Sequence, residues 1–114
     1  MTQMNLGTAL KDIGGRKRST ASLKEAIAAH RKALEVFTRD RAPFQWAVAQ
    51  NNLGNTLRYL AEFEFNIAYL EEAIAAFHGA LEIFEPEADH DARLTRENLA
   101  LAETLMAKHS AKPN

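Results

Sequence analysis

Four histidines, His30, His78, His90 and His109, are the side chains of this sequence most able to ligate a metal or pass a proton. A helical zinc site needs two of them four residues apart with a third ligand close by, and no pair here has that spacing. His30 falls on an apolar stripe, where a packing role is expected. Asp89, His90 and Asp91 cluster, but aspartates beside a helix start also favour the positive end of its dipole. The segment "DIGGRKRST" has paired glycines and basic residues without the Gly-Lys-Ser/Thr ending of a phosphate cradle. There is no Gly-x-Ser-x-Gly elbow, and the carboxylates form no pair suited to acid and base roles. With no cysteine in the chain, thiolate catalysis, disulfides and cysteine-based metal sites are excluded. The expectation is a non-enzyme with no cofactor and no metal.

Composition narrows the class further. The 14 lysines and arginines nearly balance 15 aspartates and glutamates, giving a net charge of -1, so no basic field exists to attract a phosphate backbone. Nucleic acid is not an expected partner, and "GRKRS" is expected to be a solvated turn. An apolar fraction of 46% with 25% charge fits an ordinary globular domain, and 114 residues fit one domain. No window approaches the roughly 18 apolar residues of a membrane span, and no leader pattern opens the chain. A soluble, cytoplasmic protein is expected.

Whatever positions a binding surface must be repetitive. "LKEAIAAHRKALEVF" at residues 23–37 returns as "LEEAIAAFHGALEIF" at residues 70–84, an offset of 47 that also carries Asn5-Leu6-Gly7 onto Asn52-Leu53-Gly54. A third echo, Asn98-Leu99-Ala100, follows at an offset of 46. Self-similarity at this period marks stacked units too small to bury their own apolar faces. Within each unit the apolar residues step by three and four: Leu23, Ile27, Leu34 and Phe37, then Leu70, Ile74, Phe77, Leu81 and Phe84. Ser22 and Glu25 are placed as a capping box, Pro43 as a first-turn residue, Gly14 and Gly15 as one helix stop and Pro86 as another. Five antiparallel helices are predicted, near residues 2–13, 22–40, 43–61, 66–85 and 90–108. Gly54, costly inside a helix, is expected where a neighbouring helix comes close, with Ala73, Ala76 and Ala80 making the same approach from the other side.

These residues resemble the tetratricopeptide repeat family, in its longer-period bacterial form. Leu53, Gly54 and Leu57 match the first helix of its pair, and Ala73, Phe77 and Ala80, with Pro86 beyond, match the second. In the first unit Leu6, Gly7, Leu10, Ala26 and Ala33 match, with His30 in the aromatic place. The extra length lies in "GGRKRSTAS" and "TRDRAPFQWA". The resemblance implies an all-α fold of antiparallel helical-hairpin repeats, an α-solenoid fragment with a C-terminal capping helix. The single domain would span residues 1–110, with units at about 1–42 and 43–88, the cap at 89–109 and a tail at 111–114. It further implies a scaffold that binds a protein or peptide through a concave groove. The groove positions fall on Met4, Thr8, Lys11 and Asp12, then Asn51, Asn55, Arg58 and Tyr59, then Glu97 and Leu101. There, asparagines would hold a peptide backbone, Arg58 a carboxylate and Tyr59 an apolar side chain.

Two departures from the repeat suggest an interface. At the 47-residue offset "RKRSTAS" faces "FEFNIAY", so polar positions have become Phe63, Phe65, Ile67 and Tyr69. Either this edge joins chains in a homo-oligomer or hetero-complex, or helix four begins early and buries the rings in its own core, or helices three and four fuse and exchange between chains. The first unit also lacks a counterpart of "PFQWA", as in a piece of a longer array or an engineered assembly subunit. On the last helix, Arg93, Arg96, Glu97, Glu103 and Thr104 are expected outward, with Leu94, Leu101 and Leu105 inward. Two functions remain: a peptide-binding adaptor, or a self-associating structural subunit.

Overall fold

The computed structural model describes residues 20–110. Four α-helices occupy this span: α1 (Thr20–Val36), α2 (Pro43–Phe63), α3 (Ile67–Glu87) and α4 (Asp89–Ser110). The helix expected near residues 2–13, its glycine stop, and the groove candidates Met4, Thr8, Lys11 and Asp12 lie outside the described residues. Short connections make each helix antiparallel to the one before it. Thus α2 and α4 run parallel, and α2 packs against all three of the others. The described residues contain no strand.

Local chemistry sets the boundaries. Pro43 opens α2, where its missing N–H costs nothing. Asn66 caps α3, its side-chain oxygen accepting from the Ala68 N–H at 2.9 Å. Glu64, Phe65 and Asn66 separate α2 from α3, so these helices do not fuse. Ser22 does not mark a helix start, because α1 already runs from Thr20. α1 ends at Val36, short of the expected residue 40, and Thr38 Oγ1 then accepts from the Arg41 N–H in the turn. Pro86 lies inside the last turn of α3, which continues to Glu87; only Ala88 then separates it from α4. The proline removes a donor only where the helix is ending, so the turn survives.

The repeat is visible in burial. Leu23 and Leu70, Ala26 and Ala73, Ala29 and Ala76, His30 and Phe77, and Ala33 and Ala80 are buried pairs at the 47-residue offset. His30 therefore fills the aromatic place as a fully buried side chain. Gly54 lies directly beneath Phe77: a Cβ there would come within 2.7 Å of the ring's Cε1. Trp46 sits over Gly79 in the same manner, its Cη2 3.0 Å from where a Cβ would be, with the Arg39 guanidinium 5.1 Å from its ring. The small residues thus let α2 and α3 approach, and the aromatic rings fill what the glycines leave open.

The orientation of α4 corrects the sequence expectation. Its buried face is Ala92, Thr95, Leu99 and Ala102, whereas Leu94 and Leu101 are 41% and 51% exposed. Leu105 is half-buried, and Arg93, Arg96, Glu97, Glu103 and Thr104 are exposed as expected. Ion pairs join the helices at the surface, including Arg31 to Glu72 through two contacts of 2.6 and 3.1 Å and Arg96 to Glu85 at 3.2 Å. The hydrogen bond to Glu72 raises the Arg31 pKa above its ordinary value. Such exposed pairs each contribute less than about 1 kcal/mol, so apolar packing carries the fold.

Candidate partner-binding groove

The parallel helices α2 and α4 meet through their asparagines. The Asn98 side-chain amide donates to Asn51 Oδ1 at 3.4 Å, tying the third echo of the repeat to the second. Helical periodicity places Val48, Asn55 and Tyr59 beside Asn51 on α2, and Leu94, Leu101 and Leu105 beside Asn98 on α4. Two rows therefore flank one amide pair. The α2 row is half-buried and mixed, while the α4 row presents the exposed Leu94 and Leu101. Asn51 Nδ2 and Asn98 Oδ1 make no hydrogen bond among the described residues. One donor and one acceptor are thus left for a visiting peptide unit.

Of the expected groove residues, Asn51, Asn55 and Tyr59 lie along this face of α2, while Arg58 has a different role. Its side chain is buried, with Nη2 donating to Asn55 Oδ1 at 2.6 Å and Nη1 to Glu62 Oε1 at 3.3 Å. The guanidinium carbon also lies 4.5 Å from the Tyr59 ring centroid. A cation already held by an amide, a carboxylate and a ring, all on its own helix, is not available to capture a ligand carboxylate. Its Nε has no partner among the described residues. Because burying that donor costs energy, Arg58→Met should leave stability within about 1.5 kcal/mol of the original. Arg58→Ala, which opens a void instead, should cost about 2 kcal/mol. Urea unfolding of both variants checks this; a severe loss in the methionine variant would mean that the ion pair itself holds the helix in place.

The edge from Phe63 to Tyr69 divides. Phe63 and Tyr69 are half-buried against the core, and the Tyr69 hydroxyl donates to Glu64 at 3.4 Å. Phe65 stacks on His109 of α4, with ring centroids 3.7 Å apart and planes 12° from parallel, yet remains 41% exposed. Ile67 is 50% exposed. The helix break at residues 64–66 resets the phase of the apolar stripe, which sends two of the four side chains inward and leaves two at the surface.

A depression of about 330 Å³ opens elsewhere between α1, α2 and α3, walled by Leu34, Leu53 and Ala76 beside the Arg31–Glu72 pair. No group of three or more potential metal ligands occurs among the described residues. Nor is any helix among them long and apolar enough to cross a membrane. Leu94, expected inward, is instead exposed on this candidate surface. Its signal was the 46-residue offset, which aligns Leu94 with Val48 and Leu101 with Asn55 and so places both leucines beside the amide pair.

A family model described as Tetratricopeptide repeat matches residues 1–40 and 46–85. The second match covers all of α2 and α3 except three residues at the start and two at the end. No curated protein and no solved structure matches the sequence.

Proposed function

We propose, since this chain belongs to the tetratricopeptide repeat family, that it is a non-enzymatic adaptor holding a peptide segment of a partner protein on the face shared by α2 and α4. Repeats of this family generally mediate protein–protein interaction. The observation that carries the reading is the Asn51–Asn98 contact, which leaves one amide donor and one acceptor between two rows of partly exposed side chains. Asn55 and Tyr59 extend the surface along α2. The chain is one functional domain over residues 1–110, and its lack of cysteine suits a reducing, cytoplasmic setting.

Self-assembly through Phe63, Phe65, Ile67 and Tyr69, as a homo-oligomer or within a hetero-complex, is the second reading. The exposed Phe65 and Ile67 favour it. Their exposed area is on the order of 200 Å², against about 800 Å² per partner in a stable interface, so this edge needs further surface to hold two chains together.

The test is a pull-down from cell lysate with a chain carrying Asn51→Ala, Asn55→Ala and Tyr59→Ala. Recovery of partners should fall at least about tenfold while helicity and mass in solution stay unchanged, since the lost contacts amount to roughly 1.4 kcal/mol or more. Retention of every partner rejects the adaptor reading.

A further inference from the structure

Beside the face that packs on its own chain, α4 carries a second ordered row. Asp91, Leu94, Asn98, Leu101, Leu105 and Lys108 follow one another at alternating steps of three and four, the spacing by which two helices mesh along a seam. Leu94 and Leu101 are exposed and Leu105 is half-buried, so the middle of this seam is apolar and open to solvent. From Asp91 to Lys108 it runs about 25 Å. The charges of α4 select what can cover it. Its first turn carries Asp89 and Asp91, and its last turn carries Lys108 and His109. Each set suits the dipole of α4 itself, and neither Asp91 nor Lys108 makes an ion pair among the described residues. A second copy of the same helix laid antiparallel brings an acidic first turn to a basic last turn at both ends. The numbers 91 and 108, 94 and 105, and 98 and 101 share one sum, so a single antiparallel register serves the whole row. It sets Asp91 against Lys108 of the second copy, Leu94 against Leu105 and Asn98 against Leu101, each contact occurring twice. On the outer flank Glu97 falls opposite Thr104, and Arg93, one turn from Glu97 on its own helix, offsets its charge. A parallel pair would instead stack Asp91, Glu97 and Lys108 each on its own kind. Asn98, held by Asn51 of its own chain, is the polar group at the middle of the seam, where an amide costs some stability and fixes the register.

We infer that two copies of this chain pair through α4, antiparallel about a two-fold axis that passes between Asn98 and Leu101 along the helix. One helix face of this length covers less than the roughly 800 Å² per partner of a standard interface, so the dimer is weak and concentration-dependent. The inference goes beyond the adaptor reading and does not use the edge of Phe65 and Ile67. A second copy and a bound segment compete for the α4 row, whereas Asn51, Asn55 and Tyr59 on α2 lie outside the seam.

Analytical ultracentrifugation of the full chain tests the inference. The mass should lie near 12.7 kDa at about 10 μM and rise toward twice that at about 1 mM. Leu101→Ser, at a half-exposed site that tolerates the change, should weaken the dimer about tenfold with helicity unchanged. Lys108→Glu and Asp91→Lys should each weaken it by setting like charges together at both ends. An equimolar mixture of those two variants should recover the pairing, because each end then joins opposite charges again. The absence of cysteine lets cross-linking read the direction. On oxidation, a mixture of the Leu94→Cys and Leu105→Cys chains should give chiefly the mixed disulfide. A monomer at about 1 mM, a dimer that Leu101→Ser leaves intact, a charge-swapped mixture that recovers nothing, or chiefly like-with-like disulfides overturns the inference. A dimer lost only with Phe65→Ser and Ile67→Ser overturns it too, and places the contact at the other edge. The pull-down with the Asn51, Asn55 and Tyr59 variant reads the adaptor separately: partners lost there, with only monomer found here, leave that reading standing and remove this one.

Discussion

Phe77→Ala should cost about 3–5 kcal/mol, the range for truncating a fully buried aromatic ring. The side chain has no exposed surface and belongs to the core cluster with Leu53, Leu57, Leu70 and Phe84. It also lies over Gly54, where no side chain exists to move into the space it vacates. A void at that point opens the α2–α3 contact. Domains of this size are stable by only about 5–15 kcal/mol, so the variant should lose a large part of its stability and show a much lower urea midpoint. The comparison is Val36→Ala, at a side chain 64% exposed, where the change should stay within about 0.5 kcal/mol. A loss below about 1.5 kcal/mol at Phe77 would mean that the neighbouring helices close over the cavity, and that the ring is not what sets their separation.

Phe77 shows why the fold was legible in the sequence. Its burial follows from an apolar period of three to four residues, and its partner glycine follows from the echo of Asn-Leu-Gly at the same offset as the surrounding helix. Both signals are local in sequence and are repeated, so each copy supports the other. The candidate surface on α2 and α4 was less legible because its defining features depend on neighbours. On α4 the eye follows Leu94, Leu101 and Leu105, yet the buried stripe is Ala92, Thr95, Leu99 and Ala102. Small residues pack more closely against α3 than leucines do, and size alone does not reveal that. Arg58 illustrates a second limit. Its position on the helix face was evident, but its Asn55, Tyr59 and Glu62 contacts depend on side-chain conformation and burial, which periodicity does not supply. At Phe63 to Tyr69, three residues of broken helix changed the phase, so a continuous stripe in sequence became a divided one in space.

Gly54→Val should destabilise the chain by about 3 kcal/mol or more, at the upper end of the overpacking range. The Cβ alone would lie 2.7 Å from Phe77 Cε1 and 3.0 Å from both Cδ1 and Cζ, and valine adds two methyl groups beyond it. Phe77 cannot swing into solvent, because it is fully enclosed. Removing a helical glycine has an opposing benefit, about 0.5–1 kcal/mol for alanine through restricted backbone freedom. That gain is smaller than the steric loss, so Gly54→Ala should also be destabilising, by about 1–2 kcal/mol in net. The decisive variant combines Gly54→Val with Phe77→Ala. Each change alone creates a fault, one of excess volume and one of missing volume, at the same point of the α2–α3 contact. Together the valine methyls occupy space that the ring has left, and the double variant should be more stable than the sum of the single losses implies, by about 1–3 kcal/mol. Urea unfolding of the four proteins gives that coupling directly. Strict additivity would mean that the two sites do not share a contact and that the close approach of α2 and α3 rests on other residues. A positive coupling instead identifies the ring over the glycine as the joint that fixes the approach of α2, the helix carrying the proposed surface of Asn51, Asn55 and Tyr59, to α3.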